Sequence, residues 1–202
     1  MLKDMKHTIF FDLGNVLIFF DHQKMCRQVA HLSGLEEELV QSVMQKYGDL
    51  YERGYVDSRF IYDEICRMAQ KKLQFETLMH AVSDIFMPND PVISIAEKLK
   101  EKGHRLFLLS NTCEAHFAFA SSQFPFLKCF DGYVLSYEVG ARKPEKKIYE
   151  KALEIAGCRN EECFYIDDIL PYIESARSMD IDAEQYTNPQ ALTQHLHARG
   201  IL

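Results

Sequence analysis

The chain has 202 residues, 47% of them hydrophobic, enough to bury one sizeable core with a modest insertion. Its formal net charge of -7 excludes a general nucleic-acid binder, which needs a surplus of Lys and Arg on one face. No apolar run approaches the ~20 residues that span a bilayer and residues 1–6 are too polar and short to lead a secretory signal, so a cytoplasmic protein without a membrane partner is expected.

In chain order, residues 7–12 read as an apolar strand ending in Asp12, and 16–20 as a second short apolar stretch. From 22 to 87 helical patterns follow one another without strand-like alternation: helices are predicted over 22–32, 36–47, 58–70 and 75–86, the first three separated by Gly34 and by turns at Gly48 and Gly54. Asp57 or Ser58 suits the N-cap of the third. Pro88 and Pro91 then punctuate the chain. Beyond them helices at 92–102, 114–122, 144–156, 170–179 and 189–199 alternate with strands at 105–109, 132–135, 163–166 and 183–186.

That alternation predicts an α/β fold, a Rossmann-like, doubly wound parallel sheet formed by residues 1–20 and 89–202, with 21–88 as a small all-helical cap inserted after the first strand. Ligands bind such sheets beyond the carboxyl ends of the strands. There the sequence delivers Asp12 from FFDL, Ser110 and Asn111 from LFLLSN, Lys143 from GARKPEKKIYE, and Asp167 with Asp168 from CFYIDD. A core alone does not explain carboxylates that directly follow runs of Phe, Tyr and Ile. Pro144 suits a first helical position, which would set Lys143 at a helix N-terminus. The six cysteines form no C-x-x-C pair, which fits reduced thiols, and Cys113 with His116 lacks the third orienting group that thiol catalysis needs.

Taken in order, FFDLGNVL, LLSN, GARKPEKKIYE and YIDDILPYIESARSM resemble the four motifs of the haloacid dehalogenase superfamily, over the whole chain. Within it, FDLGNVL and the following Asp21 look most like a bacterial branch of sugar-phosphate phosphatases that includes an alpha-glucose-1-phosphate phosphatase; the phosphatase domain of soluble epoxide hydrolase is a more distant likeness. The resemblance implies a Mg2+-dependent phosphatase of a small phosphorylated metabolite, working through an aspartyl-phosphate as a monomer or homodimer. Asp12 would be the nucleophile. Asp12, Asp168 and the main-chain carbonyl of Gly14 would bind the metal, with Asp167 direct or through water, and Ser110, Asn111 and Lys143 would contact the phosphate.

Most phosphatases of the superfamily keep a second aspartate, an acid/base, where this chain has Gly14. General acid or base assistance contributes ~10²- to 10⁴-fold, so an unusually good leaving group is expected. Asp21 has two readings: a carboxylate at the mouth of the insertion that replaces the missing acid, or the N-cap of the helix beginning near His22, which needs only local geometry and is favoured. The turn Tyr51, Glu52, Arg53, Gly54 is the part of the insertion expected to reach the pocket. Two other functions stay open, a metal-independent haloacid dehalogenase and a non-catalytic phospho-ligand or partner-binding module. Against the dehalogenase, the adjacent Asp167 and Asp168 repel each other unless a cation joins them.

Overall fold

Residues 6–202 are described by the computed structural model, so the first five residues of the predicted core lie outside it. The chain opens with β1 (Thr8–Phe11) and β2 (Ile18–Phe20), then four helices, α1 (His22–Ser33), α2 (Glu37–Glu52), α3 (Ser58–Ala69) and α4 (Phe75–Ser83), before β3 (Phe86–Pro88). There follow α5 (Asp90–Glu101), β4 (Arg105–Ser110), α6 (Glu114–Gln123), β5 (Gly132–Leu135), α7 (Ser136–Val139) and α8 (Lys146–Ala156). The chain ends with β6 (Cys163–Asp167), α9 (Leu170–Arg177), β7 (Asp182–Gln185) and α10 (Pro189–Ala198).

Five strands form a wholly parallel sheet in the order β5-β4-β1-β6-β7. Strand period sorts its side chains into two cores. Ile9, Phe11, Leu106, Leu108, Phe164 and Ile166 pack with α5 and α10, while Phe10, Phe107, Leu109 and Tyr165 pack with α8 and α9 on the other face. Burial on both faces explains the continuous apolar runs that mark these strands in the sequence.

The helical insertion encloses its own core, built on Val29, Val40, Val43, Ile61, Ile65 and Leu78, with Cys113 reaching into it from the sheet side. Asp57 caps α3, accepting the Phe60 N–H at 2.8 Å. Two features of this region differ from the prediction. The helix expected to stop before Gly48 runs on to Glu52. Glycine inside a helix costs about 1 kcal/mol, less than the ~1.5–3 kcal/mol gained by burying a large side chain such as Tyr51 one turn later. The helix expected to reach residue 86 ends at Ser83, and Phe86–Pro88 instead pairs antiparallel with β2, matching Phe19 with Met87. This ribbon closes the entry and exit of the insertion. Among the described residues, no helix is long and apolar enough to cross a membrane.

Candidate active site

Three adjacent strands end at one place. β1 delivers Asp12, whose N–H bonds to Ile166 O on β6 at 2.9 Å, β4 ends in Ser110, and β6 ends in Asp167 with Asp168 next in the chain. The loop after α7 brings Lys143 between them. Its Nζ lies 2.8 Å from Asp12 Oδ1 and 2.6 Å from Asp167 Oδ2, and donates to Leu109 O at 2.9 Å. All three ammonium donors are thus used, which is how a lysine side chain only 1% exposed is kept charged. Burial alone would lower its pKa, but Asp12 and Asp167 outweigh that and hold it above its ordinary value.

The placement of Lys143 corrects the helix-terminus reading. α8 begins at Lys146, so Pro144 is not its first residue, and the Lys143–Pro144 peptide is cis. Asn111 does the positioning: its Oδ1 accepts the Lys143 N–H at 2.8 Å and its Nδ2 donates to Lys143 O at 3.1 Å. A side-chain amide carries both a donor and an acceptor and so satisfies both main-chain groups of Lys143, which a carboxylate cannot. Ser110 is buried beside it, at the end of β4.

Carboxylate oxygens of Asp12, Asp167 and Asp168 lie within 4.8 Å of one another, the sole such acidic or His/Cys group among the described residues. Three carboxylates face one ammonium, an excess of negative charge in a buried place. Burial pushes Asp12 up to about 7 even though Lys143 pulls it down, and Asp167 and Asp168 add to the rise. Asp168 is raised too, by burial and then by Asp167, although Asn15 opposes this. An oxygen-rich, negatively overcharged cluster of this kind fits a small divalent cation such as Mg2+. Asp167 is the member most occupied by the protein: Oδ2 accepts from Lys143 and from the Tyr165 hydroxyl, and Oδ1 accepts the Ile169 N–H at 2.8 Å.

Gly14 lies in the tight turn after β1, bridged to Ile18, with the ring of Phe20 against it. Asp21 is the N-cap of α1, accepting the Lys24 N–H at 2.9 Å and pairing with Arg27 at 3.3 Å. The turn at 51–54 meets the loop that carries Lys143. Arg142 pairs with Asp49 and Glu52, each at 2.6 Å, and Arg53 pairs with Glu145 at 2.5 Å. Gly54 has φ +68, and any β-carbon there would collide with the Tyr137 carbonyl, so the close approach requires glycine. Burial pushes the Cys113 thiol up to about 12, which leaves no thiolate for chemistry.

Sequence reasoning missed two residues that hold the carboxylates in place. Asn15 Nδ2 donates to Asp168 Oδ2 at 3.2 Å from a left-handed backbone with φ +55, a conformation Asn tolerates. Tyr165 holds Asp167, and its signal was present in YID, because residues two apart on a strand share a face.

Among solved structures, the fold is similar to a HAD family enzyme from Bacteroides thetaiotaomicron in complex with magnesium and inorganic phosphate, at 25% identity and TM-score 0.80 over 90% of this chain and 94% of that one. A predicted HAD-like family hydrolase from Porphyromonas gingivalis matches at 22% identity and TM-score 0.77, covering 95% and 98% of the two chains. An L-2-haloacid dehalogenase from Xanthobacter autotrophicus, with chloropropionic acid covalently bound, matches at 14% and TM-score 0.63, covering 98% and 85%. The last two are likenesses of fold alone. The family model of the haloacid dehalogenase-like hydrolases matches residues 6–180, and the chain belongs to that family.

Proposed function

We propose that this chain is a magnesium-dependent phosphatase of a small phosphorylated metabolite, of the sugar-phosphate type, acting in the cytoplasm with 21–88 as the cap over its site. The observation that carries this reading is Lys143 held between Asp12 and Asp167, with Asp168 alongside. An Asp12 oxygen attacks phosphorus, the bond to the leaving-group oxygen breaks, and water then hydrolyses the aspartyl-phosphate to inorganic phosphate and free Asp12. Asp12, Asp168, the main-chain carbonyl of Gly14 and Asp167 would hold Mg2+, which when bound supplies the positive charge that relieves repulsion between carboxylate and phosphoryl group. Lys143 adds a fixed charge to the same place, and Ser110 with the main-chain amides around Asn111 donates to phosphoryl oxygens.

Gly14 offers no proton to the departing oxygen, so the favoured leaving groups are those that need none, such as anomeric, aryl or acyl. The acidic cluster favours this reading over halide displacement, which has no use for a cation. The magnesium and inorganic phosphate in the Bacteroides enzyme support it as well. Phosphate release from 4-nitrophenyl phosphate, with and without magnesium, tests it. Metal-dependent release that Asp12→Asn abolishes is the expected result; binding of phosphate without release would indicate a binding module, and chloride release from a haloacid a dehalogenase.

A further inference from the structure

A cavity of about 610 Å³ lies in the helical insertion, outside the Asp12 cluster but tied to it in three places. His22, on its wall, stacks on Phe20 at 4.7 Å between ring centres, and Phe20 covers Gly14. Glu52, also on the wall, pairs with Arg142, the residue before Lys143. Cys113 and His116, also in the lining, follow Ser110 and Asn111 in the chain. None of the Asp12 cluster lines the cavity, and these three links are what connect the two.

The lining is one-sided in charge. Glu37, Glu38 and Glu52 contribute carboxylates, His22 and His116 imidazoles, Gln41 an amide, and no Lys or Arg lines it among the described residues. Burial comes first in lowering both imidazoles, and each histidine faces a carboxylate that opposes this, Asp21 beside His22 and Glu52 beside His116. Arg142, which pairs with Glu52 on this wall, is also matched by Asp49.

We propose that this cavity receives the leaving group of the substrate and selects by charge, accepting neutral polyhydroxyl or cationic amino groups and rejecting leaving groups that carry a carboxylate or a second phosphate. The inference rests on the phosphatase reading and names its substrate class. Carboxylates, imidazoles and amides donate to and accept from hydroxyls, and carboxylates attract an ammonium. Glu52 is matched by Arg142, but Glu37 and Glu38 repel an anion with no Lys or Arg in the lining to offset them.

The test uses three phosphate esters of similar size, 2-hydroxyethyl, 2-aminoethyl and carboxymethyl phosphate, with 4-nitrophenyl phosphate and magnesium as the control for the underlying reading. We expect kcat/KM for the carboxymethyl ester to fall at least about 10-fold below the hydroxyethyl ester, the order expected for uncompensated like charge in a partly solvated cleft. The aminoethyl ester should equal or exceed the hydroxyethyl ester. In the double variant E37Q/E38Q, two exposed positions on α2 where folding is not at stake, the discrimination should shrink by about 3-fold or more. Equal turnover of the neutral and anionic esters by an enzyme active on 4-nitrophenyl phosphate overturns the charge selection alone. Discrimination untouched by E37Q/E38Q overturns the assignment to this cavity. No turnover of 4-nitrophenyl phosphate rejects the phosphatase reading and this inference with it.

Discussion

The ring of Phe20 stands where a side chain on Gly14 would enter: a β-carbon there would lie 2.9 Å from Phe20 Cε1. The missing acid/base is thus more than one deleted carboxylate, since the space it would need is filled. The ring is not free to swing away cheaply, because it packs on His22 and the core of the insertion.

Gly14→Ala should therefore destabilise by roughly 1–3 kcal/mol through overpacking. Combined with Phe20→Ala, the cost should be smaller than the sum of the single changes by at least about 0.5 kcal/mol. Urea unfolding of the four proteins of the cycle measures this. Strict additivity would show that the two residues do not compete for one space. On alkyl phosphates, Gly14→Asp should add activity only when Phe20 is trimmed as well.

Asp21 distinguishes a cap from an acid. Asn caps as well as Asp, so Asp21→Asn should leave stability within about 0.5 kcal/mol, whereas Asp21→Ala should cost about 1 kcal/mol. Turnover and its pH profile should be unchanged in Asp21→Asn. A lost limb in that profile would identify Asp21 as the replacement acid.

Asp168→Asn should act in opposite directions without and with metal. Burial and Asp167 both disfavour the Asp168 carboxylate, so the neutral amide relieves repulsion and should raise the metal-free Tm by about 2 °C or more. It also removes a proposed ligand, so the rise in Tm that magnesium should give the wild type by mass action is expected to vanish. Calorimetry with and without magnesium reads both effects. A variant that still responds fully to magnesium would remove Asp168 from the metal site.

The ion pairs that join 49–54 to the Lys143 loop carry a pH signature. Hydrogen bonds from Arg142 and Arg53 hold Asp49 below its ordinary 3.8, and Arg53 holds Glu145 below its ordinary 4.5. Depressed folded-state values mean that the unfolded chain binds more protons in that window. The stabilisation is therefore full above those ordinary values and is lost as pH falls through the folded ones. Arg53→Gln should cost only about 0–1 kcal/mol at neutral pH, because both carboxylates are about half exposed. Thermal unfolding of variant and wild type should converge once the pH has fallen below the folded-state values of both carboxylates. A gap that persists there would mean that Arg53 acts by packing rather than charge.

The sheet was legible because its strands are buried on both faces and their carboxyl ends change abruptly from Phe, Leu and Ile to Asp, Ser and Asn. The same abrupt change pointed to Asp12, Ser110, Asp167 and Asp168. Where a distant contact decided the outcome, local pattern misled. Gly48 looks like a stop until Tyr51 is seen buried beyond it, and residues 86–88 are a strand only because β2 lies beside them. Lys143 was found, but its support came from Asn111, 32 positions earlier in the chain, and no periodicity encodes that pairing.

If Asp12 takes the phosphoryl group, mass spectrometry of enzyme acid-quenched during magnesium-dependent turnover of 4-nitrophenyl phosphate should find one added phosphoryl group on the peptide containing Asp12, absent in Asp12→Asn. Steady phosphate release with that peptide never modified, or with the label on another residue, would contradict it.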